Sequence, residues 1–169
     1  MHSLQHLHND GVHIPLDVLG DCTFKLHTLI WNCDMNKQAV SVLLHEILPT
    51  QHSIKILRLG PAKESDAIDD MADVATNICP NLRYLSASND TITRALLRDD
   101  RLVTRFQWHK KGCLPNMTSR QLKALRYLLL SGVQDLNKDS NFASRLTSLV
   151  ILEIRGDRNQ FFGLPRLVR

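Results

Sequence analysis

Residues 26–31 read Leu26-His27-Thr28-Leu29-Ile30-Trp31, with apolar side chains at the first, fourth and sixth places. The same frame stands at Ile54, Leu57 and Leu59, at Leu82, Leu85 and Ala87, and at Val103, Phe106 and Trp108. It continues at Leu125, Leu128 and Leu130, then at Leu149, Leu152 and Ile154. Leu4 and Leu7 make a partial copy upstream, and Leu164 with Leu167 opens another. Counted from Leu4, the first places fall 22, 28, 28, 21, 22 and 24 residues apart, before a short step of 15 to Leu164. Self-similarity at such a period is the mark of a chain built from stacked units.

The frame has a physical meaning. Alternate side chains of a strand point to opposite faces, so places four and six face one side together. Place one reaches the same core from the turn before the strand. One unit cannot bury these residues alone, and stacking neighbours makes a continuous core. The segments between read as helices, which parallel strands need as crossovers. Val40, Leu43, Leu44, Ile47 and Leu48 lie on one helical face, with Asn36 as cap and Pro49 as stop. Ser65 to Ile78 repeats the design with Ile68, Met71, Ala75 and Ile78 inward. Thr91–Leu97, Ser119–Leu125 and Leu136–Leu146 are shorter helical patterns.

The expected fold is α/β: a leucine-rich-repeat solenoid of about seven repeats, forming one domain over residues 1–169. In this horseshoe, parallel strands line the concave face and helices the convex face. A doubly wound α/β domain also alternates strand and helix. It does not repeat one frame, however, and neither G-x-G-x-x-G nor G-x-x-x-x-G-K-[ST] occurs in the chain.

At Ile78-Cys79-Pro80-Asn81-Leu82-Arg83-Tyr84-Leu85, a helix ends in Cys-Pro-Asn-Leu before a strand. This unit resembles the cysteine-containing repeat of F-box/leucine-rich-repeat proteins, and the long irregular repeats resemble the fungal members of that group. Cys113-Leu114-Pro115-Asn116-Met117 echoes the motif off register. The resemblance implies that the repeats capture a substrate while an F-box binds the Skp1 subunit of a ubiquitin ligase. No F-box pattern occurs here. The chain opens inside a repeat at Leu4 and closes inside one at Leu167, so a piece of a longer repeat protein is expected.

Composition narrows the function classes. Hydrophobic residues at 43% and charged residues at 22% exclude disordered and collagen-like chains, and 5% aromatics require an aliphatic core. Lys+Arg 21 against Asp+Glu 17 gives +4, but the halves differ. Residues 1–85 hold 6 basic and 10 acidic side chains, while residues 86–169 hold 15 and 7. Cys22, Cys33, Cys79 and Cys113 form no C-x-x-C pair, which suits reduced thiols in an intracellular protein of the cytoplasm or nucleus. No signal segment or membrane-length apolar run is found, and the sequons at Asn89 and Asn116 then carry no meaning.

Several constellations carry no chemistry on inspection. Asp69-Asp70-Met71-Ala72-Asp73 has the D-D-x-x-D form of a magnesium-diphosphate site, but a solvated helix face explains it. His2, His6, His8 and His13 cluster without an acidic or cysteine partner at firm ligand spacing. No G-x-S-x-G elbow exposes a nucleophile. Neither catalysis nor a cofactor nor a metal is expected.

The surface pattern is more informative. If places four and six face the core, places three, five and seven face the open side of the sheet. These include Arg58 with Ile56 and Gly60, Tyr84 and Ser86 with Ser88, and Arg105, Gln107 and His109. Tyr127 and Leu129 with Ser131, and Glu153 and Arg155 with Ile151, complete them. Tyr and Arg are enriched at protein-binding hot spots. The expected function is a non-catalytic scaffold for a protein partner, with an acidic surface to suit the basic half. A basic nucleic-acid surface built on Arg94, Arg98, Arg101, Arg105, Lys110 and Lys111 is the alternative, with stacking aromatics sparse there. A degenerate repeat fragment without independent function is the third reading.

Overall fold

Each copy of the frame from Leu4 to Ile154 becomes one short strand. The computed structural model describes residues 4–11, 19, 24–61, 78–97, 102–110, 117–132 and 142–156. Its strands are β1 (His6–Asn9), β2 (Thr28–Trp31), β3 (Ile56–Leu59), β4 (Tyr84–Ala87), β5 (Arg105–Trp108), β6 (Tyr127–Ser131) and β7 (Ile151–Arg155). The helices are α1 (Lys37–Val42), running on through a π-helical turn at Leu43–Ile47, α2 (Asp90–Leu96), α3 (Ser119–Ala124) and α4 (Phe142–Arg145). The expected helix at 65–77, the first part of that at 136–146 and the unit opened by Leu164 lie outside the described residues.

All seven strands join one parallel sheet in the order β1-β2-β3-β4-β5-β6-β7. Every strand pairs with its neighbours in sequence, and no switch point reverses the order. A doubly wound sheet requires such a reversal, so this all-parallel α/β sheet is compatible with a solenoid-like fold.

The register aligns the frame across the sheet. Place four forms one ladder through Leu7, Leu29, Leu57, Leu85, Phe106, Leu128 and Leu152. From Leu29 to Leu128 its members are at most 1% exposed. Place six puts Trp31, Leu59, Ala87, Trp108 and Leu130 into the same core, where Phe106 and Trp108 stack with ring centres 6.1 Å apart. Place one is buried at Leu26, Ile54, Leu82, Val103 and Leu125, whereas Leu4 is exposed. Each fully buried side chain of this kind stabilises the fold by roughly 1.5–3 kcal/mol.

The helices close the core on that side. Val40, Leu43, Leu44, Ile47 and Leu48 are buried in it, as the helical spacing predicts. The Asn36 side chain accepts from the Ala39 amide at 2.8 Å, Asn89 does the same for Ile92, and Thr118 forms a capping box with Gln121. None of the described helices is long and apolar enough to cross a membrane.

Polar side chains stitch successive units. The Gln51 amide accepts from Leu26 N at 2.8 Å and donates to Phe24 O at 3.0 Å, while the Gln121 amide donates to Leu97 O. Both are buried. The Cys-Pro-Asn-Leu segment gains a physical reason here. Cys79, with φ of 45°, buries a thiol that lies 3.9 Å from both Leu48 O and Gln51 O, and Asn81 donates to His52 O at 3.1 Å. Thiol and amide thus tie this turn to the preceding unit. Gly60 is a correction to the sequence reading, which set it on the open face. It is buried against the previous unit, where a Cβ would lie 2.4 Å from Cys33 O.

Candidate functional site

Strand alternation leaves one side of the sheet without covering helices among the described residues, and the register arranges its side chains in rows. Place three gives His6, Thr28, Ile56, Tyr84, Arg105, Tyr127 and Ile151. Place five gives His8, Ile30, Arg58, Ser86, Gln107, Leu129 and Glu153. Beyond them, His109 follows β5, and Ser131 pairs with Arg155. The surface expected from the sequence begins at Ile56, and the register extends it over β1 and β2. The same frame at residues 26–31 marks Thr28 and Ile30 as members.

Arg58, Arg105, His109 and Arg155 are exposed, and Tyr84, Gln107, Tyr127 and Glu153 are half-buried. Ser86 and Leu129 depart from expectation: they are 1% and 2% exposed, so neither presents itself directly to a partner. For Leu129 the cause is a polar chain across its neighbours. Gln107 Nε2 donates to the Tyr127 hydroxyl at 3.5 Å, and that hydroxyl donates to Glu153 Oε1 at 3.2 Å. Gln107 and Glu153 flank Leu129 in register, so the bonded groups screen it. Arg155 completes the chain by donating to Glu153 Oε2 at 3.1 Å.

The electrostatics follow from this crowding. Partial burial pushes the Tyr84 hydroxyl pKa up, and the neighbouring Tyr127 adds to the rise, against opposing effects of Arg58 and Ser86. For His109, desolvation pulls the pKa below its ordinary 6.5, with Arg58 and Arg155 pulling in the same direction. The ring is therefore neutral at pH 7. The Ser86 and Ser88 hydroxyls are buried and make no hydrogen bond of good geometry, although Ser86 lies near enough to the Tyr84 hydroxyl to hold its pKa down.

Among the described residues the other candidate groups do not assemble. Of the basic cluster, Arg94 sits on α2, whose apolar side packs into the core, whereas Arg105 sits on the open sheet. Lys110 pairs with Asp90, and Trp108 is 0% exposed and closed to stacking. Arg98, Arg101 and Lys111 lie outside the described residues, as do the Asp69–Asp73 segment, His2 and His13. His6 is bonded to Thr28 Oγ1 at 3.0 Å and meets His27 edge-on. Among the described residues no three His, Cys, Asp or Glu side chains gather as metal ligands. Cys33 and Cys79 are not joined in a disulfide.

No family model matches the chain, and neither a curated protein nor a solved structure matches it significantly. The rows on the open sheet are thus the basis for a functional reading.

Proposed function

We propose that the chain is a leucine-rich-repeat horseshoe acting as a non-catalytic scaffold, whose open sheet face docks an acidic segment of a protein partner. The row Ile56, Tyr84, Arg105, Tyr127 and Ile151 carries the reading. It places two tyrosines on either side of an exposed arginine, between two exposed isoleucines. Aromatic and guanidinium anchors of this kind dominate protein-binding energetics. Arg58, Arg105 and Arg155 add positive charge that favours acidic partners and speeds their encounter.

The sequential strand order and the Cys79-Pro80-Asn81-Leu82 turn support the repeat-family reading. Within it, the chain provides the substrate-recognition repeats of an F-box-like ubiquitin-ligase adapter. A Skp1-type subunit would join only through an F-box upstream of these repeats.

The test compares proteins retained by the wild-type chain with those retained by the Tyr84→Ala/Arg105→Ala variant. The variant is expected to lose a specific partner while its circular dichroism stays unchanged. Equal recovery by both proteins removes the docking-face reading.

A further inference from the structure

Place five and the residues beyond it hold a second kind of chemistry. Ser86 points from β4 to the open side of the sheet, opposite in direction to Leu85 and Ala87, yet its hydroxyl is buried and unpaired. A buried hydroxyl without a partner is unfavourable, and native structures rarely leave one so. Arg58 is its register neighbour on β3, and Gln107 its neighbour on β5. Just past these strands come Ser88, also with an unpaired buried hydroxyl, and His109.

The committed and uncommitted charges differ. Arg155 is already engaged by Glu153, which also takes the Tyr127 hydroxyl. Among the described residues no carboxylate pairs with Arg58. The cluster therefore offers one uncommitted guanidinium, a neutral imidazole and two hydroxyl donors.

We propose that Arg58, Ser86, Ser88 and His109 form a subsite for a single carboxylate, supplied by an Asp or Glu side chain of the docked segment. This rests on the docking-face reading and specifies which chemical group that face takes. A guanidinium grips a carboxylate through two parallel hydrogen bonds, and hydroxyl donors satisfy its remaining lone pairs. Ser86 is 1% exposed, and its register neighbours Arg58, which is exposed, and Gln107, which is half-buried, have room to shift and admit the carboxylate. A phosphate dianion fits less well, because Arg58 is the one uncommitted cation of the cluster and Arg155 is already engaged by Glu153.

The probe is N-acetyl-glutamate α-amide, titrated into the full chain while the His109 ring and Ser86 amide signals are followed by NMR. A saturable shift is expected with this compound and none with N-acetyl-glutamine α-amide. Arg58→Gln and Ser86→Ala should each weaken binding about tenfold, the effect of losing one charged hydrogen bond. Ser86→Ala removes an unpaired hydroxyl, so the fold tolerates it. Arg105→Ala, which disables the place-three row, should leave the small carboxylate bound.

An equal response to the glutamine compound, no saturable response, or a response unmoved by Arg58→Gln overturns the subsite. Tighter binding of the matching phosphoserine compound overturns the carboxylate assignment. The two readings fail separately: the Tyr84→Ala/Arg105→Ala capture result judges the face, and the small-molecule titration judges the subsite.

Discussion

Gly60 shows how closely one unit sits on the next. A Cβ there would meet the carbonyl oxygen of Cys33 at 2.4 Å, and its nearest atoms are all backbone of Asn32 and Cys33, which leaves little room to yield. Gly60→Ala should cost about 1–3 kcal/mol, the usual range for overpacking, and lower the denaturant midpoint accordingly. His109 makes a prediction of another kind. Its pKa lies below 6.5 in the folded chain, so the unfolded state takes up protons first on acidification. The stability this group contributes is present above pH 6.5 and is lost as pH falls through the folded pKa. Denaturation measured above and below pH 6.5 should show a loss that His109→Asn reduces. Neither effect was legible in sequence: the frame gave Gly60 and His109 the same place seven, although one is buried against backbone and the other meets solvent.

At the scale of elements, caps were the readable part. Asn36 was identified as a cap from its place before an apolar periodic run, and its side chain accepts from Ala39 N. Thr118→Ala breaks the capping box of α3 and should cost about 1 kcal/mol, read as a shift in thermal midpoint. Gln121→Ala should cost more, about 1–3 kcal/mol, since it also strips Leu97 O of its buried partner. Gln51 and Gln121 escaped the sequence reading for a simple reason. Counting apolar spacing treats a glutamine as surface, while these two replace missing backbone partners between units. Helix ends were legible to about a residue. The expected Thr91–Leu97 is Asp90–Leu96, one residue earlier because Asn89 is the cap.

Across the described residues, the repeat frame was enough to place every strand. Six complete copies and one partial copy of places four and six correspond to seven strands in register. The open-face rows followed from the same alternation, but the screening of Leu129 by Gln107, Tyr127 and Glu153 did not. Side-chain bonds between strands have no counterpart in a one-strand pattern. Unequal covering along the sheet leads to a measurable gradient. Leu57, Leu85 and Phe106 are 0% exposed, whereas Leu152 and Ile154 are only partly buried. Amide hydrogen exchange should therefore be slowest in β3–β5 and faster in β7, because each unit is held chiefly by its neighbours. Uniform protection from β1 to β7 would contradict this nearest-neighbour account.

The strand register also decides where the chain can change length. From Leu4 to Leu149 the first places are separated by as few as 21 and as many as 28 residues, yet the paired residues keep the same frame throughout. Insertions and deletions between strands are absorbed by the crossovers and leave the exposed rows intact. A single residue added inside a strand would instead exchange inner and outer side chains from that point to the strand's end. Evolution can thus lengthen a crossover without disturbing recognition, and can rewrite recognition one exposed residue at a time without disturbing the core.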